Sequence, residues 1–363
     1  MTAFAVFSRF RKIENLSSKV QNVIHRKFTD AKSRRFILPE HNVFMKLISL
    51  HGEEHASAIF KHIKENITCD DDNTPVMEMR AGEGLLTEKL LLAGIKNLHV
   101  FERRNLYLPK LQALLSKYPG NNMLHSRTFN QVFFEDNNFP LYDSSYLESS
   151  LPFQCHKAWD DTPSVKIILT HQTSKVLPVC ISHVSKNMMF RGMGRPQFIV
   201  TLPAQAWNDL SSKTPKSNSY HASAYLFPDL YEMDILGSIS PPVLFIAGDA
   251  SVRVLKEEVL TVSITASKEL AEHVSPELLE EYLFFGTQTM NGRAKHSYVI
   301  KSLESWAAGS GRDLVVNGVD CFTQLMDLCP KEALRIFKIW RSLPHFDTSL
   351  FKYEFEKYIQ CNK

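Results

Sequence analysis

Between Pro75 and Lys117 the chain alternates two short apolar runs with two helical patterns, and a glycine pair separates the first run from the first helix. PVMEM reads as a short buried strand and AGEG (Ala81 to Gly84) as a tight turn. Leu85 to Ala93 has the pattern of a helix stopped by Gly94. NLHVFE (Asn97 to Glu102) is a second strand that ends in an acid, and Asn105 to Lys117 is a second helix with Gly120 just after it. Strand, glycine turn, helix, strand and helix in this order open a doubly wound α/β domain. Few other architectures accommodate that succession, so the rest of the chain is read against it.

Upstream, Pro39 to Gly52 and His55 to Asn66 have helical spacing, and the acid-rich Cys69 to Pro75 is a loop. Downstream, VKIILT (Val165 to Thr170), PQFIVTLP (Pro196 to Pro203) and the β-branched VLTVSITA (Val259 to Ala266) are expected strands. Helices are expected over Lys175 to Phe190 and Ala204 to Ser212. Asn122 to Pro163 and Ser211 to Ser240 are polar and irregular, and give no assignment. Past Ser275 the texture becomes helical, beginning with the Ser-Pro-Glu start of SPELLEEYLFF. Further helices are expected over Lys295 to Ala308, Val319 to Leu328, Lys331 to Leu343 and Ser349 to Gln360. The expected organisation is a basic arm over 1–30, an α/β domain over 31–270, and a helical domain with a C-terminal tail over 271–363.

A chain of 363 residues with 44% hydrophobic and 22% charged residues has ample apolar material for a core. No run approaches the length of a membrane span, so no membrane partner is expected. The net charge of +3 excludes a strongly basic, histone-like binder but allows a local basic surface. Six cysteines, Cys69, Cys155, Cys180, Cys321, Cys329 and Cys361, form no CxxC pair, which suits a reducing compartment and argues against a zinc site. His183 and His221 show no metal-ligand spacing. The first thirteen residues carry Arg9, Arg11 and Lys12 among small and apolar residues, with no acid before Glu14. That is the pattern of a mitochondrial transit segment; a basic arm that touches nucleic acid, or nothing, is the competing reading.

The glycine turn Ala81 to Gly84 follows a strand and starts a helix, so its backbone N–H groups and the helix N-terminus favour an anionic or polar ligand. Glu102, about 20 residues on, stands where an acid accepts ribose hydroxyls. A dinucleotide fold wants GxGxxG and only GxG is present. A glycine turn kept for packing, with Glu78 and Glu102 merely ending strands, is the alternative.

The acid before the turn, Glu78, resembles that of class I S-adenosylmethionine methyltransferases, and VMEMRAGEGLLTEKLLLAGIKNLHVFERR resembles the first two motifs of the rRNA adenine dimethyltransferase superfamily. Within it the chain is similar to the mitochondrial transcription factor B branch, the fungal mitochondrial RNA polymerase specificity factors. RRFILPEHNVFMKLI, VKIILTHQTS, PQFIVTLPAQAWNDL and DLCPKEALRIFKIWRSLPHFDTSLFKYEFEKYIQ fall in the family's order. The resemblance implies a Rossmann-like class I methyltransferase fold with a C-terminal helical domain. It implies S-adenosylmethionine as cofactor, with Leu38, Gly82, Gly84, Glu102, Thr128 and His171 at the cofactor site.

Several positions depart from an enzyme. The family's Asn-Leu-Pro-Tyr type motif, which orients the target amine and stacks the base, is matched by Thr170, His171, Gln172, Thr173 and Ser174. Arg80 stands where the family has a small glycine, and Thr128 where an Asp contacts the adenine. Cofactor binding is therefore expected to be weak or lost, with no catalytic residue and no RNA methylation.

What remains suits single-stranded nucleic acid, through cations beside aromatics. Arg191, Arg195, Arg341, Tyr353 and Lys357 are the expected contacts. Leu334, Phe337 and Trp340 have the spacing of a buried helical stripe, whereas the tail after Phe346 is the better candidate for reaching a partner. The resemblance implies a factor that joins the single-subunit mitochondrial RNA polymerase, in the matrix nucleoid, and helps melt promoter DNA by holding the non-template strand. An active rRNA adenine N6-dimethyltransferase is the main rival, and a small-molecule or protein methyltransferase of the same core is a second.

Overall fold

The computed structural model describes residues 53–68, 74–127, 158–159, 162–170, 177–190, 192–211, 230–240, 243–246, 252–255, 258–268, 275–289 and 296–361. The first helix, α1 (Glu53–Thr68), repeats apolar residues at helical spacing, and that stripe (Ala56, Ile59, Ile63, Ile67) is buried. Then come β1 (Val76–Met79), α2 (Leu85–Leu92), β2 (Leu98–Phe101), α3 (Leu108–Leu115) and β3 (Met123–His125). The strand-turn-helix order expected from the sequence is present, with ends shifted by up to three residues. β4 (Val165–Thr170), α4 (Leu177–Phe190), β5 (Pro196–Pro203) and α5 (Ala204–Ser211) continue the alternation.

After these come β6 (Tyr231–Ile239), a two-stranded ribbon of β7 (Val243–Ile246) and β8 (Val252–Leu255), and β9 (Val259–Ala266). The main sheet has seven strands in the order β3-β2-β1-β4-β5-β9-β6. The pairs from β3 through β5 are parallel, and β9 runs antiparallel to both β5 and β6. Every residue of β1, β2, β5 and β9 is buried, as strands covered on both faces require. β3 and β6 fall in the stretches that gave no assignment. β3 is three residues long with no buried one, and β6 carries a bulge between Ile235 and Gly237 that breaks its alternation.

Beyond Ala266 the described elements are helical: α6 (Pro276–Thr289), α7 (Val299–Trp306), α8 (Ser310–Val316), a 3₁₀ turn at Leu325–Asp327, α9 (Pro330–Arg341) and α10 (Leu350–Cys361). A helix over Val319 to Leu328 does not form. Backbone groups there pair instead with the segment before α7: Leu325 donates to the Ser297 carbonyl at 3.0 Å, and Val299 donates to that of Thr323 at 2.9 Å. Asp320 turns the chain by accepting from the Phe322 N–H at 3.1 Å and the Thr323 hydroxyl at 3.2 Å. Side chain and backbone bonding of this kind outcompetes the helix ladder. No helix of the described residues is long and apolar enough to cross a membrane.

Polar contacts among the described residues tie α1 to the sheet. Lys166, fully buried on β4, donates to the Asn66 carbonyl in the last turn of α1, where a cation complements the helix dipole. His62 lies against the β6 bulge, its Nδ1 3.3 Å from the Thr261 hydroxyl of β9. Gly237 makes this approach possible, because a Cβ there would overlap the His62 imidazole. Gly237→Ala is expected to destabilise the fold by about 1–3 kcal/mol, as an overpacked contact does. Chemical denaturation measures this, and His62→Ala in the same chain should recover most of the loss; an unchanged midpoint for the single variant would contradict the contact.

Candidate functional site

The turn between β1 and α2 is built from left-handed residues. Arg80, Gly82 and Gly84 have φ of 64°, 60° and 84°. The first is unusual, since a residue with a Cβ resists this region at a cost of about 1–2 kcal/mol. Arg80 thus adopts a backbone conformation typical of glycine while carrying an arginine side chain. The turn is pinned to β2, because the Arg80 N–H donates to the Phe101 carbonyl at 2.7 Å.

The two glycines answer different needs. A Cβ on Gly84 would lie 2.9 Å from Leu111 Cδ2, so Gly84 serves the packing of α3 against the turn. A Cβ on Gly82 would meet only Arg104 Nη2, at an ordinary 3.7 Å. Gly82 instead presents its N–H to Glu102 Oε2 at 2.9 Å. The packing reading of the glycine turn therefore holds for Gly84 and does not account for Gly82.

Glu102, immediately after β2, is 2% exposed. Besides Gly82, its partners come from Arg104. Oε1 accepts from the Arg104 backbone N–H at 2.8 Å and from Nε at 3.1 Å, and Oε2 accepts from Nη2 at 3.3 Å. The two-point guanidinium–carboxylate fork is a strong, geometrically selective pairing. The Tyr107 ring lies 4.5 Å from the guanidinium carbon and supports it from another side. Burial alone would raise the Glu102 carboxyl, yet the Arg104 hydrogen bonds and charge, with the Gly82 amide, hold it below the ordinary carboxylate range.

Glu78, buried on β1, accepts from the Thr87 hydroxyl of α2 at 2.6 Å. Burial raises its proton affinity to about 7, with Glu102 adding to the rise and Thr87 opposing it. Arg80 is lowered to about 10, by burial and then by the like charge of Arg104, while Glu102 opposes.

The expected site residues divide sharply. Gly82, Gly84 and Glu102 converge on one turn. Leu38, Thr128, His171 and Arg191 lie outside the described residues, as does the basic N-terminal arm. Arg195 is a correction: it is 4% exposed, donates from Nη1 to the Ala266 carbonyl at 3.0 Å, and has Glu232 3.7 Å away. A phosphate backbone has no access to a side chain so enclosed, and Arg195 ties β5 to β9 and β6 instead.

The tail is partly enclosed. Phe351 and Phe355 of α10 are buried at 1% and 4% exposure, packed on Phe284 of α6 at ring separations of 5.3 and 5.5 Å. Of the expected stripe of α9, Phe337 and Trp340 are fully buried and Leu334 is half-buried. Arg341 pairs with the buried carboxylate of Glu281, which also accepts from Lys352 Nζ at 2.6 Å. Arg341 thus anchors α9 to α6, with part of its side chain still exposed. Tyr353, 60% exposed, and the half-buried Lys357 lie one helical turn apart on α10. Arg104 was missed in the sequence, although a cation two residues after the strand-ending acid was its signal.

The seven-stranded order with one reversed strand, the glycine turn after β1 and the acid after β2 define a class I methyltransferase fold. In sequence the chain is similar over 350 residues to the mitochondrial dimethyladenosine transferase 2 of Drosophila melanogaster, at 20% identity, covering 83% of this chain and 77% of that protein. A dimethyladenosine transferase from Plasmodium falciparum aligns in structure with a TM-score of 0.48 at 10% identity, over 79% of this chain and 95% of its own. An rRNA methylase from Streptococcus thermophilus aligns at 0.31 and 13%, over 60% and 98%. No profile of a known protein family matches the chain.

S-adenosylmethionine is the cofactor of this fold class, and among the described residues the acid that would hold its ribose, Glu102, does not fit a ribose diol while Arg104 is paired with it. A ribose diol needs acceptors, whereas both Glu102 oxygens already accept from Arg104 and Gly82.

The raised proton affinity of Glu78 has a stability consequence. Its folded-state value near 7 exceeds the unfolded one, so its favourable contribution is complete at low pH and is lost as pH rises towards 7. Glu78→Gln removes that titration. Relative to the parent, the variant should gain stability between pH 5 and 8, by an amount on the order of 1–3 kcal/mol. Thermal melts across this range test it; parallel curves would contradict it.

Proposed function

We propose that this chain is a mitochondrial transcription initiation factor on a methyltransferase fold. In this reading it joins the single-subunit mitochondrial RNA polymerase in the matrix nucleoid, helps recognise and melt the promoter, and holds the melted non-template strand. The observation that carries it is the state of Glu102. A ribose acid closed by an intramolecular arginine, beside a turn whose glycine is Arg80, supports a cradle that no longer serves methyl transfer. The absence of the Asn-Leu-Pro-Tyr type motif at Thr170 to Ser174 points the same way. The similarity to a protein named as mitochondrial supports the compartment.

Melting costs a few kcal/mol of stacking per base step, which aromatic stacking and phosphate contacts offset. Tyr353 and Lys357 supply one of each on the outer face of α10. Because the aromatics Phe351 and Phe355 belong to the core, the informative change is on that outer face and not a truncation of the tail. Run-off transcription with the cognate polymerase is expected to depend on this protein on duplex promoters and much less on pre-melted ones. Tyr353→Ala with Lys357→Ala should lower duplex initiation by about tenfold, the scale of one lost stacking contact and one phosphate contact. Equal losses on both templates would count against a melting role.

A second reading, an S-adenosylmethionine-dependent rRNA adenine N6-dimethyltransferase, is favoured by the similarity to a protein named for dimethyladenosine transfer. The retained Glu78–Thr87 pair and glycine turn suit it as well. Stoichiometric dimethylation of adenines in small-subunit rRNA, without stimulation of the polymerase, would decide for the enzyme.

A further inference from the structure

The acid after β2 is saturated, and arginines lie beside it. Glu102 accepts from the Gly82 and Arg104 N–H groups of the backbone and from two nitrogens of the Arg104 guanidinium, leaving no free acceptor for a pair of ribose hydroxyls. The same fork uses two of the five N–H donors of the guanidinium and leaves three directed away from Glu102. Tyr107 holds the guanidinium plane in place, so these donors are pre-organised. Arg80 stands on the same turn with Arg104 close by, and Arg103 is exposed next to it. Among the described residues the acids near these cations are Glu78, hydrogen-bonded to Thr87, Glu102, paired with Arg104, and Glu83, which has Lys110 3.4 Å away. The seat lies at the N-terminal end of α2, where backbone geometry favours an anion.

We propose that Arg104 converts this seat from one for a free ribose diol to one for a phosphorylated ribose, so that its ligand is a nucleotide with a phosphate on the 2′ or 3′ oxygen. Dinucleotide folds discriminate in this way when an arginine beside the acid accepts a 2′-phosphate. Each internal unit of a polynucleotide carries a 3′-phosphate, so the seat suits a strand backbone. The inference rests on the reading that nucleic acid is the ligand of this chain, and deepens it by naming the contact.

The test is calorimetric titration of the full chain with adenosine and with adenosine 3′,5′-bisphosphate at fixed physiological salt. The bisphosphate is expected to bind at least about tenfold tighter, a preference that one arginine fork accounts for. Arg104→Ala should abolish the preference and tighten adenosine binding, because Glu102 is then free to accept the diol. Arg104→Gln, which keeps a donor for Glu102 without the charge, should also abolish the preference, and it replaces the alanine variant should that fail to fold. Equal affinities in the parent chain, no binding of the bisphosphate, or a preference that survives both substitutions would each overturn the proposal. Promoter melting is measured separately, so loss of the seat with melting intact removes this inference alone.

Discussion

The site depends on where one buried carboxylate finds its hydrogen bonds. Glu102 closes β2 at the point where the fold brings the glycine turn and the start of α3 together, and a charge so enclosed must be compensated. In this chain the compensation comes from Arg104, two residues further on, and from the Gly82 amide. The pairing sets the conformation of the turn's rim, satisfies the acceptors that a nucleoside would use, and fixes three guanidinium donors outward. A ligand for this seat has to contend with an ion pair already formed.

The helical region follows a similar logic around Glu281. This carboxylate is 2% exposed and is covered by Arg341 of α9 and Lys352 of α10, so both helices are tied to α6 by charge-assisted contacts as well as by rings. Phe284, Phe285, Phe337, Trp340, Phe346 and Phe351 interlock with ring separations between 5.0 and 6.4 Å. Aromatic pairs of this kind contribute about 0.5–1.5 kcal/mol beyond area burial. Of α10, the aromatic stripe is enclosed, whereas Tyr353 on its outer face is exposed.

The α/β half was largely legible. Strands such as PQFIVTLP and VLTVSITA are long, apolar and β-branched, and match the observed ranges to the residue. The glycine turn and Glu102 were legible because their spacing is fixed by strand, turn and helix geometry. β3 and β6 were not, since one is too short to show a period and the other is interrupted at Gly237. Composition alone misled where burial is decided by distant partners. Arg195 looks like a phosphate contact beside glycines, yet the Ala266 carbonyl and Glu232 claim it from more than thirty residues away. Phe351 and Phe355 look like stacking platforms interleaved with lysines, yet α6 supplies the rings that cover them. Arg104 escaped notice because its role lies in a side-chain fork that spacing does not encode.

Whether the Glu102–Arg104 pair keeps the methyl donor from this methyltransferase fold is the point on which the proposed function turns. Equilibrium dialysis of the full chain against radiolabelled S-adenosylmethionine at about 1 mM, well above the micromolar affinity expected of a working site, tests it most directly. The account predicts occupancy well below one per chain. Stoichiometric retention at micromolar concentration, with Arg104 unaltered, would contradict it.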